Sequence, residues 1–217
     1  LYRCAPQGLG GISARVKCIN YAGERLFEDT LSRLGCDVTR GMILQLSGCG
    51  TRVSVTDAEN DYVSHERLLT LCCLKEFEAG HDVALPYDAP RVIDTLADEH
   101  GRRAYRYLSC SADGRDENAR RVSRSQLWLR DGMMLGIRVL SYMQQTGQSL
   151  SELLAGVPEF VTVTSAVELS RSPGAILRQL GEDGAQGGEG ILIGRQNGSL
   201  LIRPAKHGRT LKILAEA

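Results

Sequence analysis

Two short stretches hold most of the residues able to do chemistry. The first, LSGCGTRVSVTD from Leu46 to Asp57, spaces Gly48 and Gly50 as a tight loop between strands. Ser47, Cys49, Thr51 and Arg52 stand around those glycines. The second, RPAKHGR, sets Arg203, Lys206, His207 and Arg209 within seven residues. Cationic donors at that density can hold a phosphate, or they can form a solvated basic turn. Cys49 has the chemistry of a nucleophile, but a thiol must be activated by a base or a cationic neighbourhood, and no base can be assigned. It reads as a passive thiol. Ser64-His65 reads as a helix start, and the glycine-rich run 187–190 as a flexible connector.

Composition narrows the function classes. Of 217 residues, 42% are apolar, enough for one large core or two small ones. Twenty-six basic and twenty-six acidic side chains cancel, so no overall field draws the chain to nucleic acid or to an anionic membrane. No apolar run approaches the roughly 18 residues of a membrane span. Seven cysteines (Cys4, Cys18, Cys36, Cys49, Cys72, Cys73, Cys110) form an odd set without a CxxC motif. Free thiols in a reducing cytoplasm are expected, rather than a disulfide frame or a zinc site. The first residue is Leu1 and no basic-then-apolar leader follows it. The chain therefore reads as part of a longer protein.

The elements that must position these residues alternate between strand and helix. A strand is expected over Ile12 to Asn20, then a helix from Arg25 to Leu34 stopped by Gly35. Met42 to Leu46 and Val53 to Thr56 flank the first loop. Asn60-Asp61 turns the chain into Tyr62-Val63. His65 to Ala79 reads as a mostly buried helix and Val83 to Leu85 as a strand. Asp88 is expected to cap a helix from Pro90 to His100, with a strand at Ala104 to Leu108 after it. Residues 110 to 125 are polar without period, a surface loop. Helices follow at about Leu127 to Gln145 and at Leu150 to Ala155.

After Pro158 the pattern becomes a strand at 161–163, a helix from Pro173 to Leu180, a flexible bridge at 181–190 and three further strands (191–194, 200–203, 211–215). The fold class is α/β: a mixed-sheet, three-layer αβα domain followed by a small α+β domain.

The segment LIRPAKHGRTLKILAEA resembles the phosphate-binding loop and closing strand of the α-D-phosphohexomutases, the phosphomannomutase and phosphoglucomutase family. That family reads RPSGTEP before an alternating strand that ends in Glu-Ala. Arg203, Pro204 and Leu211 to Ala217 match, while Ala205 to Arg209 replace the loop. The first stretch is similar to the family's metal loop, DGDGDR. Arg52, Val53, Val55, Asp57, Asn60, Val63, Arg67, Leu68 and Leu69 keep its frame without a gap. Ser47, Cys49 and Thr51 stand where three aspartates belong. LPYDAPRVIDTLADEHGRRAYR and DGMMLGIRVLSYMQQTGQSLSELLAGVPEF resemble later pieces of the same family.

The resemblance implies a remnant of a second mutase-like domain over 1–40, a third α/β domain over 41–157 and a fourth over 158–217. The family has some tens of residues between Val38 and Gly48, where this chain has nine.

Active members use Mg²⁺, which takes hard anionic oxygens; a thiol and two hydroxyls do not suit it. No cofactor and no catalytic residue are therefore expected here. The family's sugar-reading loop is absent between Leu108 and Asp131.

The expected function is a catalytically reduced phosphohexomutase-like module. It would bind a sugar phosphate and regulate or oligomerise a linked sugar-1-phosphate nucleotidyltransferase of the mannose-1-phosphate guanylyltransferase type. The alternative is a piece of an active mutase interconverting hexose 1- and 6-phosphates. Neither nucleic acid nor membrane is expected as a partner.

Overall fold

The computed structural model describes residues 8–57, 61–108, 114, 116–170, 172–180, 185–187, 189–195, 198–205 and 209–217.

The chain begins as a βαβ unit. Strand β1 (Ser13–Cys18) leads into helix α1 (Tyr21–Arg33) and returns as β2 (Asp37–Leu46), parallel to β1. The helix starts four residues before the apolar period does, because the Asn20 side chain accepts from the N–H groups of Ala22 and Gly23. Its buried face, Phe27 and Leu31, packs on the sheet. β3 (Val53–Thr56) and β4 (Tyr62–Val63) continue the sheet antiparallel, in the order β1-β2-β3-β4.

The short passage from Val38 to Gly48 is closed by an irregularity in β2. Ser13 pairs with Asp37, yet Ala14 pairs with Met42, so residues 38–41 bulge from the ladder. Gly41 makes the bulge possible: its φ is +85°, and a Cβ there would collide with the Ser13 carbonyl. The division expected between residues 40 and 41 falls inside β2. One apolar core runs from Leu9 to Val157 and takes side chains from both sides of it.

Behind the sheet lie α2 (His65–Glu78), capped by the Ser64 hydroxyl at Arg67 N–H, and the helix Gly132–Thr146. Helix α2 is buried almost all round and also touches β5 (Val83–Pro86), which pairs parallel with β6 (Ala104–Tyr107) across α3 (Val92–Glu99). The expected surface loop 110–125 holds a short helix, α4 (Glu117–Ser123), which buries Ala119 and Ser123; residues 109–113 and 115 lie outside the described residues. A single 3-10 turn at Leu127–Leu129 precedes α5 (Gly132–Thr146). The long helix expected from 127 is broken there because Asp131 is extended and caps Met134 N–H. α6 (Leu150–Leu154) carries a Ser149–Glu152 capping box.

The C-terminal part is an antiparallel sheet, β7-β11-β10-β9-β8, made by β7 (Thr162–Glu168), β8 (Ala185–Gly187), β9 (Gly190–Arg195), β10 (Gly198–Pro204) and β11 (Thr210–Glu216). Helix α7 (Pro173–Leu180) touches β9 and β10. The run 181–190 is not simply a connector, since β8 and the start of β9 lie in it; residues 181–184 and 188 lie outside the described residues. The turn residue Asn197 and the turn residue Asn60 are outside them too. Among the described residues no helix is long and apolar enough to cross a membrane.

Glu216 ties this sheet to the body. Its two carboxylate oxygens accept from the N–H groups of Arg91 at 2.6 Å and Val92 at 2.7 Å. Those are the first orphan donors of α3, where a negative charge is favoured by the helix dipole. Asp88, expected to cap this helix, does not. The cap comes instead from a residue more than a hundred positions away. Arg106 fixes the approach to the helix by donating to the carbonyls of Ala89 (2.7 Å) and Pro90 (2.8 Å) and to both oxygens of Asp94.

Removing this cap by Glu216→Ala should cost about 1.5–3 kcal/mol, the worth of charged hydrogen bonds. Hydrogen exchange would show the Arg91 and Val92 amides losing protection while those inside α2 keep theirs. Unchanged protection at 91 and 92 would contradict this assignment of the cap.

Candidate functional site

The loop Ser47–Arg52 joins β2 to β3 and is shaped by backbone contacts. Ser47 N–H donates to the Arg52 carbonyl at 2.9 Å, and Gly50 N–H to the Ser47 carbonyl at 2.8 Å. From outside, the N-terminus of α5 presses on the loop: Gly132 N–H donates to the Gly50 carbonyl at 2.8 Å. A Cβ at Gly132 would stand 2.6 Å from the Arg52 carbonyl carbon, so only glycine permits the approach.

Held in this way, the loop brings three side chains to one place. The Cys49 thiol lies 3.1 Å from the Thr51 hydroxyl and 3.5 Å from the Ser47 hydroxyl, and Ser47 Oγ also accepts from Arg52 N–H at 3.0 Å. Hydrogen bonding from Thr51, then from Ser47, stabilises the thiolate and brings Cys49 down to about 7. Its exposure leaves it open to reagents. The donor set is two hydroxyls and one soft thiol, with no carboxylate, and it does not fit Mg²⁺. Among the described residues no group of three His, Cys, Asp or Glu is arranged to hold a metal ion.

Arg52 turns from the loop to Glu66, in the first turn of α2, and pairs with it. Burial would raise Glu66, but the hydrogen bond and charge of Arg52 outweigh it and hold the carboxyl below its ordinary range. His65 beside them accepts from Val53 N–H at 3.4 Å. Burial first, and the Arg52 charge second, push it down to about 4, so it is neutral near pH 7.

These residues form one wall of a cleft of about 430 Å³ between the body and the C-terminal sheet. The other wall carries Thr164, Arg203 and Lys212. Arg203, one of the four cations expected to hold phosphate, is mostly buried and paired with Asp88 and with Glu189, the latter at 2.8 Å. Arg209 is exposed, with its carbonyl accepting from Leu169 N–H; Lys206 and His207 lie outside the described residues. The structure adds Lys212, which sits opposite Arg203 in the β10–β11 ladder and forms no ion pair among the described residues. That register was open to sequence reasoning, since the two strands form a hairpin. The pairings of Asp88, Glu189 and Glu66 were not, for each joins residues distant in sequence or reads locally as something else.

Comparison with solved structures gives the class of fold, that of the phosphohexomutases. A phosphoglucomutase/phosphomannomutase family protein from Burkholderia thailandensis matches with a TM-score of 0.73 at 15% identity, over 95% of this chain and 56% of that one. An N-acetylglucosamine-phosphate mutase, described as a member of the α-D-phosphohexomutase superfamily, matches at 0.58 with 10% identity, over 95% and 58%. N-acetylphosphoglucosamine mutase from Aspergillus fumigatus, solved with GlcNAc-6P and magnesium, matches at 0.58 with 10% identity, over 96% and 62%. At these identities the likeness establishes the fold, and the chain spans little more than half the length of each of these proteins. No family model matches the chain, and no curated protein matches it.

The hydrogen bonds around Cys49 predict its reactivity. Alkylation by iodoacetamide should rise with pH through a midpoint near 7, as the thiolate forms, while Cys72, fully buried and pushed up to about 12, stays unreactive. Thr51→Ala removes the largest contribution and should move the Cys49 midpoint upward. Mass spectrometry of the labelled peptides reads both effects, and a midpoint indifferent to Thr51→Ala would contradict the geometry.

Proposed function

We propose that this chain is a catalytically reduced phosphohexomutase-like module that binds a sugar phosphate in its cleft. It would serve to regulate or oligomerise a linked sugar-1-phosphate nucleotidyltransferase. One observation carries the reading: the loop closed by Gly132 brings Ser47, Cys49 and Thr51 together where a divalent cation would need carboxylates. Phosphoryl transfer builds charge on the phosphoryl oxygens, and most of its rate enhancement comes from groups that stabilise that charge. A thiol and two hydroxyls supply little of it.

Binding makes weaker demands than catalysis. The cleft offers Lys212 without a fixed carboxylate partner among the described residues, and Arg52 and Arg203 with partners that an incoming phosphate would displace or share. Cations paired in this way are set in position at some loss of affinity, so modest binding of a phosphosugar is expected rather than tight capture. Support for the ligand class comes from the Aspergillus enzyme of the same fold, solved with GlcNAc-6P. The linked nucleotidyltransferase rests on the sequence resemblance alone. The free thiols among the described residues fit the reducing cytoplasm proposed as the compartment.

Calorimetric titration with mannose 1-phosphate, mannose 6-phosphate and N-acetylglucosamine 6-phosphate tests the reading, and it should detect at least one of the three. Lys212→Ala should weaken that binding about tenfold, equivalent to roughly 1.4 kcal/mol, without altering the folded spectrum. Absence of binding by all three would overturn the proposal.

A further inference from the structure

Among the described residues β7 is an edge strand, paired with β11 on one side only. The hydrogen bonds at its two ends set its polarity. Val161 N–H donates to the Ala217 carbonyl at 2.8 Å, Ala217 N–H returns the bond at 3.1 Å, and Leu169 N–H donates to Arg209 at 2.7 Å. Bonds to one neighbour come from alternate residues in an antiparallel ladder, so 161, 163, 165, 167 and 169 face β11. Thr162, Thr164, Ala166 and Glu168 turn their N–H and C=O groups away from the sheet. Every residue from 163 to 168 is exposed.

Natural sheet edges are usually blunted by shortness, proline, lysine or a bulge. The opposite edge is blunted: β8 is three residues long and ends in glycine. β7 is seven residues, TVTSAVE, rich in β-branched side chains, with Glu168 as its one charge. Val163 and Val167 lie on the same face, 59% and 42% exposed.

We propose that β7 is a self-pairing edge, through which two copies of this chain join antiparallel about a two-fold axis at Ser165. The outward groups fix the register. Centred on Ser165, the pairing matches Thr162 to Glu168 and Thr164 to Ala166 of the second copy, so all four outward residues are bonded. Moving the axis one residue either way drops Thr162 or Glu168 from the ladder. The same register places Val163 against Val167 of the second copy, twice, in non-hydrogen-bonded pairs where side chains approach closest. No like charges meet, since each Glu168 faces a threonine. The interface is isologous, as a two-fold contact requires, and joins two five-stranded sheets into one. It calls for no ligand in the cleft and stands whether or not a sugar phosphate binds there.

Sedimentation equilibrium and light scattering on the 217-residue chain should give twice its 23.7 kDa mass in the micromolar range. Ala166→Pro removes an outward N–H and leaves every bond to β11 in place, so it should return the mass to 23.7 kDa with the circular dichroism spectrum unchanged. Ser165→Cys tests the register independently of that variant's folding. Two cysteines on the axis would have Cα atoms about 4.5 Å apart and should form a disulfide-linked dimer on mild oxidation, whereas Ala166→Cys should not. A monomeric parent overturns the proposal, as does a dimer that survives in folded Ala166→Pro. A Ser165→Cys chain that cross-links no faster than the parent overturns it too, and so does a monomeric parent that captures a foreign strand on β7.

Discussion

The contact between Gly132 and the backbone of Arg52 is the constraint from which the rest of the site follows. A helix N-terminus packed against a loop, with one amide bonded to the Gly50 carbonyl, holds that loop through its main chain. Its shape therefore rests largely on backbone contacts. Such a loop can present Ser47, Cys49 and Thr51 as three converging side chains and remain tight.

The second wall of the cleft rests on a different interaction. Glu216 reaches back from the final strand to satisfy the open end of α3, and Arg203 pairs with Asp88 just before that helix. Both bonds join the C-terminal sheet to the same turn, and Arg106 holds that turn from beneath. The cations of the cleft thus serve partly as structure. Arg203 is committed to two carboxylates and Arg52 to one.

Much of this was legible in the sequence, and the remainder was hidden for definite reasons. Local signals survived: Gly35 after α1, Ser64 before α2, the Pro173 start of α7 and the loop around Gly48 and Gly50. Helix α4 leaves little signal because RDENARRVS has no apolar stripe; within the helix itself only Ala119 and Ser123 are buried. Asp88 was read as a cap because its local context allows it, whereas the true cap and its true partner lie beyond residue 200. The short passage from Val38 to Gly48 holds a bulge with a left-handed Gly41, and bulges leave little trace in hydrophobic pattern. The candidate phosphate cations were visible as a cluster. That Arg203 is neutralised by partners could not be seen without the fold.

A loop that offers two hydroxyls and a thiol should have no affinity for hard divalent cations. Crystals soaked in manganese, which substitutes for magnesium and scatters anomalously, test this directly. The account predicts no anomalous peak among Ser47, Cys49 and Thr51, and a peak there once all three are changed to aspartate. An octahedral ion bound beside Cys49 in the unaltered chain would contradict it.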